Sequence, residues 1–120
     1  MVQVKRLPAA FYQTSAGGQP VRDWLRGLTT EDRKAIGDDI RTVEFGWPIG
    51  MPICRPMGDG LFEVRTDLAG GRIARVLFAV EQGQAVLLHG FIKKSQKTPQ
   101  RELRTAKTRL INLRERSKHG

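Results

Sequence analysis

The 120-residue sequence is poor in side chains that crosslink or bind metal: one cysteine, Cys54, and two histidines, His89 and His119. A lone cysteine closes no internal disulfide, and this set does not make a zinc site, so neither metal nor cofactor is expected. Long apolar runs are missing too. No stretch approaches the roughly 18 uncharged apolar residues of a membrane span, and Met1-Val2-Gln3-Val4-Lys5-Arg6 lacks the apolar centre of a signal peptide. A cytoplasmic protein without membrane contact is the expectation. Acid is also scarce: 12 Asp and Glu stand against 21 Lys and Arg, a formal charge of +9. That imbalance points to an anionic partner, nucleic acid first. Residues 1–60 hold eight basic and seven acidic side chains, whereas residues 61–120 hold thirteen and five, so the anion-binding surface belongs to the second half.

What is present fits a single domain over residues 1–120. A β-prone run from Leu7 to Thr14 ends at the turn-forming Ser15-Ala16-Gly17-Gly18. Pro20 opens a helical pattern with Val21, Trp24, Leu25 and Leu28 on one face. Thr29-Thr30-Glu31-Asp32 has the hydroxyl and carboxylates of a helix start, and Ile36, Ile40, Val43 and Trp47 continue the stripe until Pro48. Gly37 inside this helix suggests close approach of another backbone. Residues 48–60, rich in proline and glycine, read as an irregular loop. Three β-prone runs follow, Leu61 to Leu68, Arg72 to Val80 and Ala85 to Lys93, with connections short enough for an antiparallel meander. Thr98 as N-cap and Pro99 at the first helical position begin a last helix with Leu103, Ala106, Leu110 and Leu113 inside. Its exposed set is basic: Arg101, Arg104, Lys107, Arg109, Arg114 and Arg116. Residues 114–120 are expected to fray. The fold class is α+β, a mainly antiparallel sheet of an N-terminal strand plus a three-strand meander. Two N-terminal helices and a C-terminal helix pack on one face, leaving the other open.

Alternation along the strands assigns faces. Ala74, Val76, Phe78 and Val80 form a core stripe, and Arg75 projects from the opposite side. Glu63, Arg65 and Asp67 make the polar set of the preceding strand. In the following strand Val86, Leu88, Gly90 and Ile92 oppose Leu87, His89, Phe91 and Lys93. Arg65, Arg75 and Lys93 therefore converge on one exposed surface, with Glu63 as either a cross-strand partner for Arg65 or the anion Arg75 needs. The run from Leu87 to Pro99 passes from strand into Lys93, Lys94 and Lys97 and then into a helix N-terminus, so a phosphate would meet ammonium groups and free N–H donors together. Phe91 is either core or a stacking surface for a base, and His89 is a hydrogen-bonded structural group before it is a catalyst.

Leu61-Phe62-Glu63-Val64-Arg65, Arg75-Val76-Leu77-Phe78 and Leu88-His89-Gly90-Phe91-Ile92-Lys93-Lys94-Ser95-Gln96-Lys97-Thr98-Pro99, followed by Glu102, Ala106 and Arg109, resemble the HigB toxins of the phage-Gp49-like branch of the RelE/ParE superfamily. The resemblance spans about residues 9 to 113. It implies a RelE-like fold and the toxin of a type II toxin–antitoxin pair: a ribosome-dependent mRNA endonuclease, neutralised by a helix-turn-helix HigA-type antitoxin. Arg65, Arg75, Lys93 and Lys94 then fall at catalytic positions, and Glu63, His89, Phe91, Lys97 and Arg101 would contact RNA. Many RelE-like nucleases carry a tyrosine near the C-terminus; here the only tyrosine is Tyr12. Lys93, Lys94, His89 or Glu63 remain for proton transfer. Two other functions share the fold or the charge: non-catalytic binding of RNA or ribosome, and ParE-like inhibition of DNA gyrase. Trp24 and Trp47 are either core residues or anchors for the antitoxin.

Overall fold

In the computed structural model, which describes residues 4–119, five strands form one sheet in the order β1-β5-β4-β3-β2. The chain runs β1 (Ala9–Phe11), α1 (Pro20–Arg26), α2 (Thr30–Gly46), β2 (Cys54–Gly58), β3 (Leu61–Asp67), β4 (Ile73–Glu81), β5 (Gln84–Lys93) and α3 (Gln100–His119), with a 3-10 turn at Ala69–Gly71. Strands β2 to β5 are antiparallel neighbours, and β1 pairs parallel to β5. The α+β class and the meander follow the sequence pattern.

The first two helices start for a local reason. Pro20 sits in the first turn of α1, where its missing N–H has no intrahelical partner to lose. In α2, Thr29 Oγ1 accepts the Asp32 N–H at 3.2 Å, and Glu31 and Asp32 face the positive end of the helix dipole. Asp32 also receives a two-pronged contact from Arg72, at 2.7 and 3.0 Å, which ties α2 to the start of β4. At the other end Glu44 is buried, accepting the Ala9 N–H at 2.8 Å and pairing with Lys5 at 3.0 Å, so α2 also holds the segment that leads into β1.

Helices cover both faces of the sheet, not one. Val21, Ile36 and Val43 pack with Val64, Ala74, Val76, Phe78 and Leu87 on the first face, where Trp47 meets Phe62 and Phe78 edge-on at 5.0 and 5.8 Å. Ala106 and Leu110 of α3 pack with Leu61, Leu77, Ala79 and Leu88 on the second. This is why β4 is buried from Ile73 to Ala79: a central strand covered on both sides has no polar edge to show. Val80, expected inside, is 36% exposed at the strand's end. Trp24 and Trp47 belong to the first core, consistent with the interior reading of both.

Four local expectations change. Residues 48–60 are not all loop, because Cys54–Gly58 pairs with β3 as an edge strand, a position that tolerates Pro56. Gly37 has open space where a Cβ would stand, so no backbone approaches it; Gly90 is the close approach, since a Cβ there would collide with the Trp24 ring. A register shift opposite Leu77 and Phe78 puts a bulge in β5. Leu87 therefore joins the face of Gly90 and Ile92, while Val86 and Leu88 join the α3 face with Phe91. The tail expected to fray is helical through His119, and Gly120 and residues 1–3 lie outside the described residues, as does the side chain of His119.

Candidate functional site

Register aligns the residues of interest in three rows across β3, β4 and β5: Glu63, Leu77, His89; then Arg65, Arg75, Phe91; then Asp67, Ile73, Lys93. All nine belong to the sheet face that α3 partly covers. Arg65 and Arg75 are direct cross-strand partners, and the Arg75 guanidinium lies over the Phe91 ring at 5.6 Å. His89 in turn stacks on Phe91 with centroids 5.9 Å apart.

The arginines are engaged rather than open. Arg65 donates from Nε to Glu63 Oε1 at 2.8 Å, from Nη1 to Gln96 Oε1 at 3.3 Å and from Nη2 to the Gln96 carbonyl. Arg75 is fully buried, which corrects the expectation that it faces solvent; its Nη2 donates to the Ser95 carbonyl. Its Nε and Nη1 are buried without a partner. Burial and the neighbouring charges of Arg65 and Arg55 pull the Arg75 guanidinium below its usual pKa, opposed by Glu63. Glu63, itself fully buried, is thus the central counter-charge, but its two oxygens go to Arg65 and to the Thr98 hydroxyl, and it does not contact Arg75 as an ion pair. Thr98 correspondingly does not cap α3, whose first turn bonds to the Pro99 carbonyl.

His89 and Phe91 take the structural of their two readings. Phe91 is buried beneath Arg75 and leaves no face for a base. Arg109 Nη1 reaches His89 Nδ1 at 3.3 Å and the Leu88 carbonyl at 2.8 Å. A guanidinium only donates, so the ring proton sits on Nε2 and is donated to Glu102 Oε1 at 2.9 Å. Arg109, expected on the exposed face of α3, is half-buried by this role, and burial lowers its pKa.

The other candidates are free. Lys93 is half-exposed, Lys94 and Lys97 lie in the exposed bend after β5, and Arg101 is in the first turns of α3. With Arg104 they form a set with neither ion pair nor side-chain hydrogen bond among the described residues. The other surface cations of the second half are occupied, as in Arg72–Asp32, Lys107–Asp59, Arg114–Glu81 and Lys118–Glu115. On the opposite flank a groove of about 650 Å³ is bounded by Arg65, Gln96, Asp38, Asp39 and Asp67. Its acidic wall repels phosphate and leaves the lysine side as the approach for an anionic chain.

Sequence reasoning missed Arg55, which pairs across from Glu63 in β2 and adds positive charge beside Arg75. Alternation through Ile53-Cys54-Arg55-Pro56-Met57 carried that signal, hidden by the prolines. It also missed the bracketing of His89 by Glu102 and Arg109, although their seven-residue spacing places them on one helix face. Among the described residues no cluster of His, Cys, Asp and Glu is arranged to hold a metal ion, and no helix is long and apolar enough to cross a membrane.

The model of the phage-derived protein Gp49-like family (DUF891) matches residues 23–111, from α1 to the middle of α3. No curated protein matches the chain.

Proposed function

The chain belongs to the phage-derived Gp49-like family, which is associated with the toxins of toxin–antitoxin systems, and from that premise we propose that it is a HigB-type mRNA endonuclease acting on the ribosome and restrained by a HigA-type antitoxin. One observation carries this reading: Arg75 is a buried cation with two orphan donors, beside Arg65 and Arg55, at the foot of the free lysines. Such donors each cost about 1–3 kcal/mol when left unmet. A scissile phosphate supplies what they lack.

Cleavage proceeds by attack of a ribose 2′-oxygen on the adjacent phosphorus. The 2′-O–P bond forms, the P–O5′ bond breaks, the 2′-hydroxyl loses its proton and the 5′-oxygen gains one. Fixed positive charge around the phosphoryl oxygens lowers that barrier. In this scheme phosphoryl oxygens replace the Ser95 and Gln96 carbonyls on Arg75 and Arg65, while Lys93 and Lys94 stabilise charge and Lys97 and Arg101 hold the flanking strand. Glu63 and His89 have their polar atoms engaged, which leaves Lys93 and Lys94 as the side chains with free donors. Alignment of the 2′-oxygen then comes from the ribosome.

Primer extension on mRNA from cells expressing the chain tests this. New 5′ ends within translated regions are expected, and Lys94→Ala, an exposed change, lowers their yield by about 10²–10³-fold. Unaltered cleavage by Lys94→Ala and Lys93→Ala variants refutes the assigned site. The engaged state of Glu63 and His89 favours one second reading, a basic module that blocks the ribosome without cutting. It predicts translational arrest with no new RNA ends. Intact mRNA together with DNA breaks would instead indicate gyrase as the target.

A further inference from the structure

A second anion site lies away from the arginine row, between β1 and the C-terminal half of α3. A cavity of about 520 Å³ opens there, lined by Tyr12, Thr14, Ser15, Thr108, Asn112, one carboxylate, Glu115, and two arginines, Arg109 and Arg116. That is large enough for a small organic ligand. Its donors are hydroxyls, an amide and guanidinium groups, a set that suits phosphoryl oxygens.

Arg109 makes this a built site rather than a surface patch. One guanidinium nitrogen is fixed by the Leu88 carbonyl and His89 Nδ1, so the group is held in place from behind by β5. Its other donors have no protein partner among the described residues and are not sealed away, and Arg109 lines the cavity. The Leu88 carbonyl and the His89 ring nitrogen that hold this half-buried cation carry no negative charge, so they anchor it without neutralising it. Arg116 lies over the Tyr12 ring at 5.2 Å, adding a second positive charge above an aromatic wall. Thr14 Oγ1 accepts the Gly18 N–H at 3.0 Å, which leaves its hydroxyl proton to donate. Glu115, the carboxylate of the lining, pairs with Lys118 at 3.6 Å.

We infer that this cavity binds the phosphate group of a nucleotide, with Arg109 as the fixed donor and Thr108, Asn112 and Arg116 closing around it. The nucleotide is either free or part of an RNA strand continuing from the Lys97–Arg104 surface. The inference does not depend on cleavage activity.

The chain has a single tyrosine, so the Tyr12 ring gives one set of NMR signals. The full-length protein is titrated with inorganic phosphate, 5′-AMP and a six-nucleotide RNA, each against sodium chloride of equal ionic strength. Saturable shifts of Tyr12 and of the Arg109 side-chain N–H are expected. Asn112→Asp, an exposed change that adds negative charge, weakens them at least five-fold. Lys94→Ala leaves the shifts given by inorganic phosphate and 5′-AMP unchanged. Tighter binding of 5′-AMP than of RNA identifies the free nucleotide, and the reverse identifies a strand; both support the site. Absence of saturable shifts, equal shifts in Asn112→Asp, loss of inorganic phosphate and 5′-AMP binding in Lys94→Ala, or saturation by an oligoglutamate peptide in preference to phosphate overturns it. Arg116→Ala, also exposed, gives an independent loss of at least three-fold.

Discussion

Replacing Glu63 by glutamine separates a structural from a catalytic role for the carboxylate at the centre of the arginine row. The side chain is fully buried, receives Arg65 Nε at 2.8 Å and the Thr98 hydroxyl, and balances Arg55, Arg65 and Arg75. Glutamine keeps the shape and can still accept from Arg65 and donate to a reversed Thr98 hydroxyl, but it removes the charge. A charge-assisted hydrogen bond is worth about 1.5–3 kcal/mol, and leaving a buried charge unpaired costs about 3–5 kcal/mol. These losses overlap, so the expected destabilisation is about 3–5 kcal/mol. For a domain of this size that lowers the melting temperature by about 12–20 °C. Urea unfolding followed through Trp24 and Trp47 measures the first quantity. Cleavage per folded molecule, well below the melting midpoint, measures the second. Because no Glu63 oxygen is free to take a proton, cleavage should stay within about tenfold of the parent, whereas removal of a general base costs about 10²–10⁴-fold. A Glu63→Gln protein as stable as the parent refutes the counter-charge argument. A folded variant that has lost a hundredfold or more in rate makes Glu63 the base.

Gly90→Ala places a methyl against the Trp24 ring and should cost about 1–3 kcal/mol in urea unfolding, with most of the loss recovered when Trp24→Leu is added. No recovery in the double variant contradicts the contact. The Arg72 hydrogen bonds hold the Asp32 carboxyl below the usual carboxylate range, so the stabilisation it gives is fully present above an unfolded pKa near ~3.9. It is lost as pH falls through the lower folded value. The difference in urea midpoint between parent and Asp32→Asn is therefore expected to stay constant from pH 7 to about pH 4 and to close below that; a gap that widens on acidification opposes the argument. Binding of single-stranded RNA should weaken with salt with a log–log slope no steeper than about −3.5, at about 0.7 per phosphate contact, if Lys93, Lys94, Lys97, Arg101 and Arg104 carry it. Loss of Arg101 and Arg104 together should flatten that slope by roughly 1.4.

Periodicity made the helices and the meander legible because their apolar residues repeat at the spacing that buries them. Ile36, Ile40, Val43 and Trp47 all reach one core, and Leu103, Ala106, Leu110 and Leu113 all reach the other. The number of covered faces was legible as well, though the expectation of one open face ran against it. In β4, Leu77 and Ala79 are as apolar as Val76 and Phe78, and that two-sided pattern, read as a core face and a back face, already implied a second layer. The bulge in β5 was illegible for a different reason: one extra residue inverts alternation locally, and nothing in Ala85-Val86-Leu87-Leu88 marks where, since all four are apolar. At the site, register put Arg65 beside Arg75 as alternation predicted. Burial of Arg75 did not follow from the strand pattern, because the cover is the bend at Ser95 and Gln96, whose carbonyls reach back to the two arginines.

The +9 total conceals a division that decides where an anion can bind. Of the basic residues after position 60, Arg72, Lys107, Arg114 and Lys118 are paired with acids, Arg65 with Glu63, and Arg116 with the Tyr12 ring. Arg75 and Arg109 are built into the interior by strands and bends. The cations left without partners, Lys93, Lys94, Lys97, Arg101 and Arg104, come from one continuous stretch that leaves β5, crosses the bend and enters α3. A long cation that is free on the surface keeps its hydration and its rotamer freedom, so it attracts phosphate at little cost but fixes no geometry. A buried guanidinium has already lost both, and it fixes geometry while attracting only what can reach it. The stretch from residue 93 to 104 joins the two kinds: its side chains are free cations, and its backbone carbonyls at Ser95 and Gln96 occupy the arginines, so under the proposed function a polyanion gathered by the first displaces the second. Cleavage as proposed therefore requires an order, capture by mobile charge followed by exchange at fixed charge, and Ser95 and Gln96 are the contacts that must break in the second step.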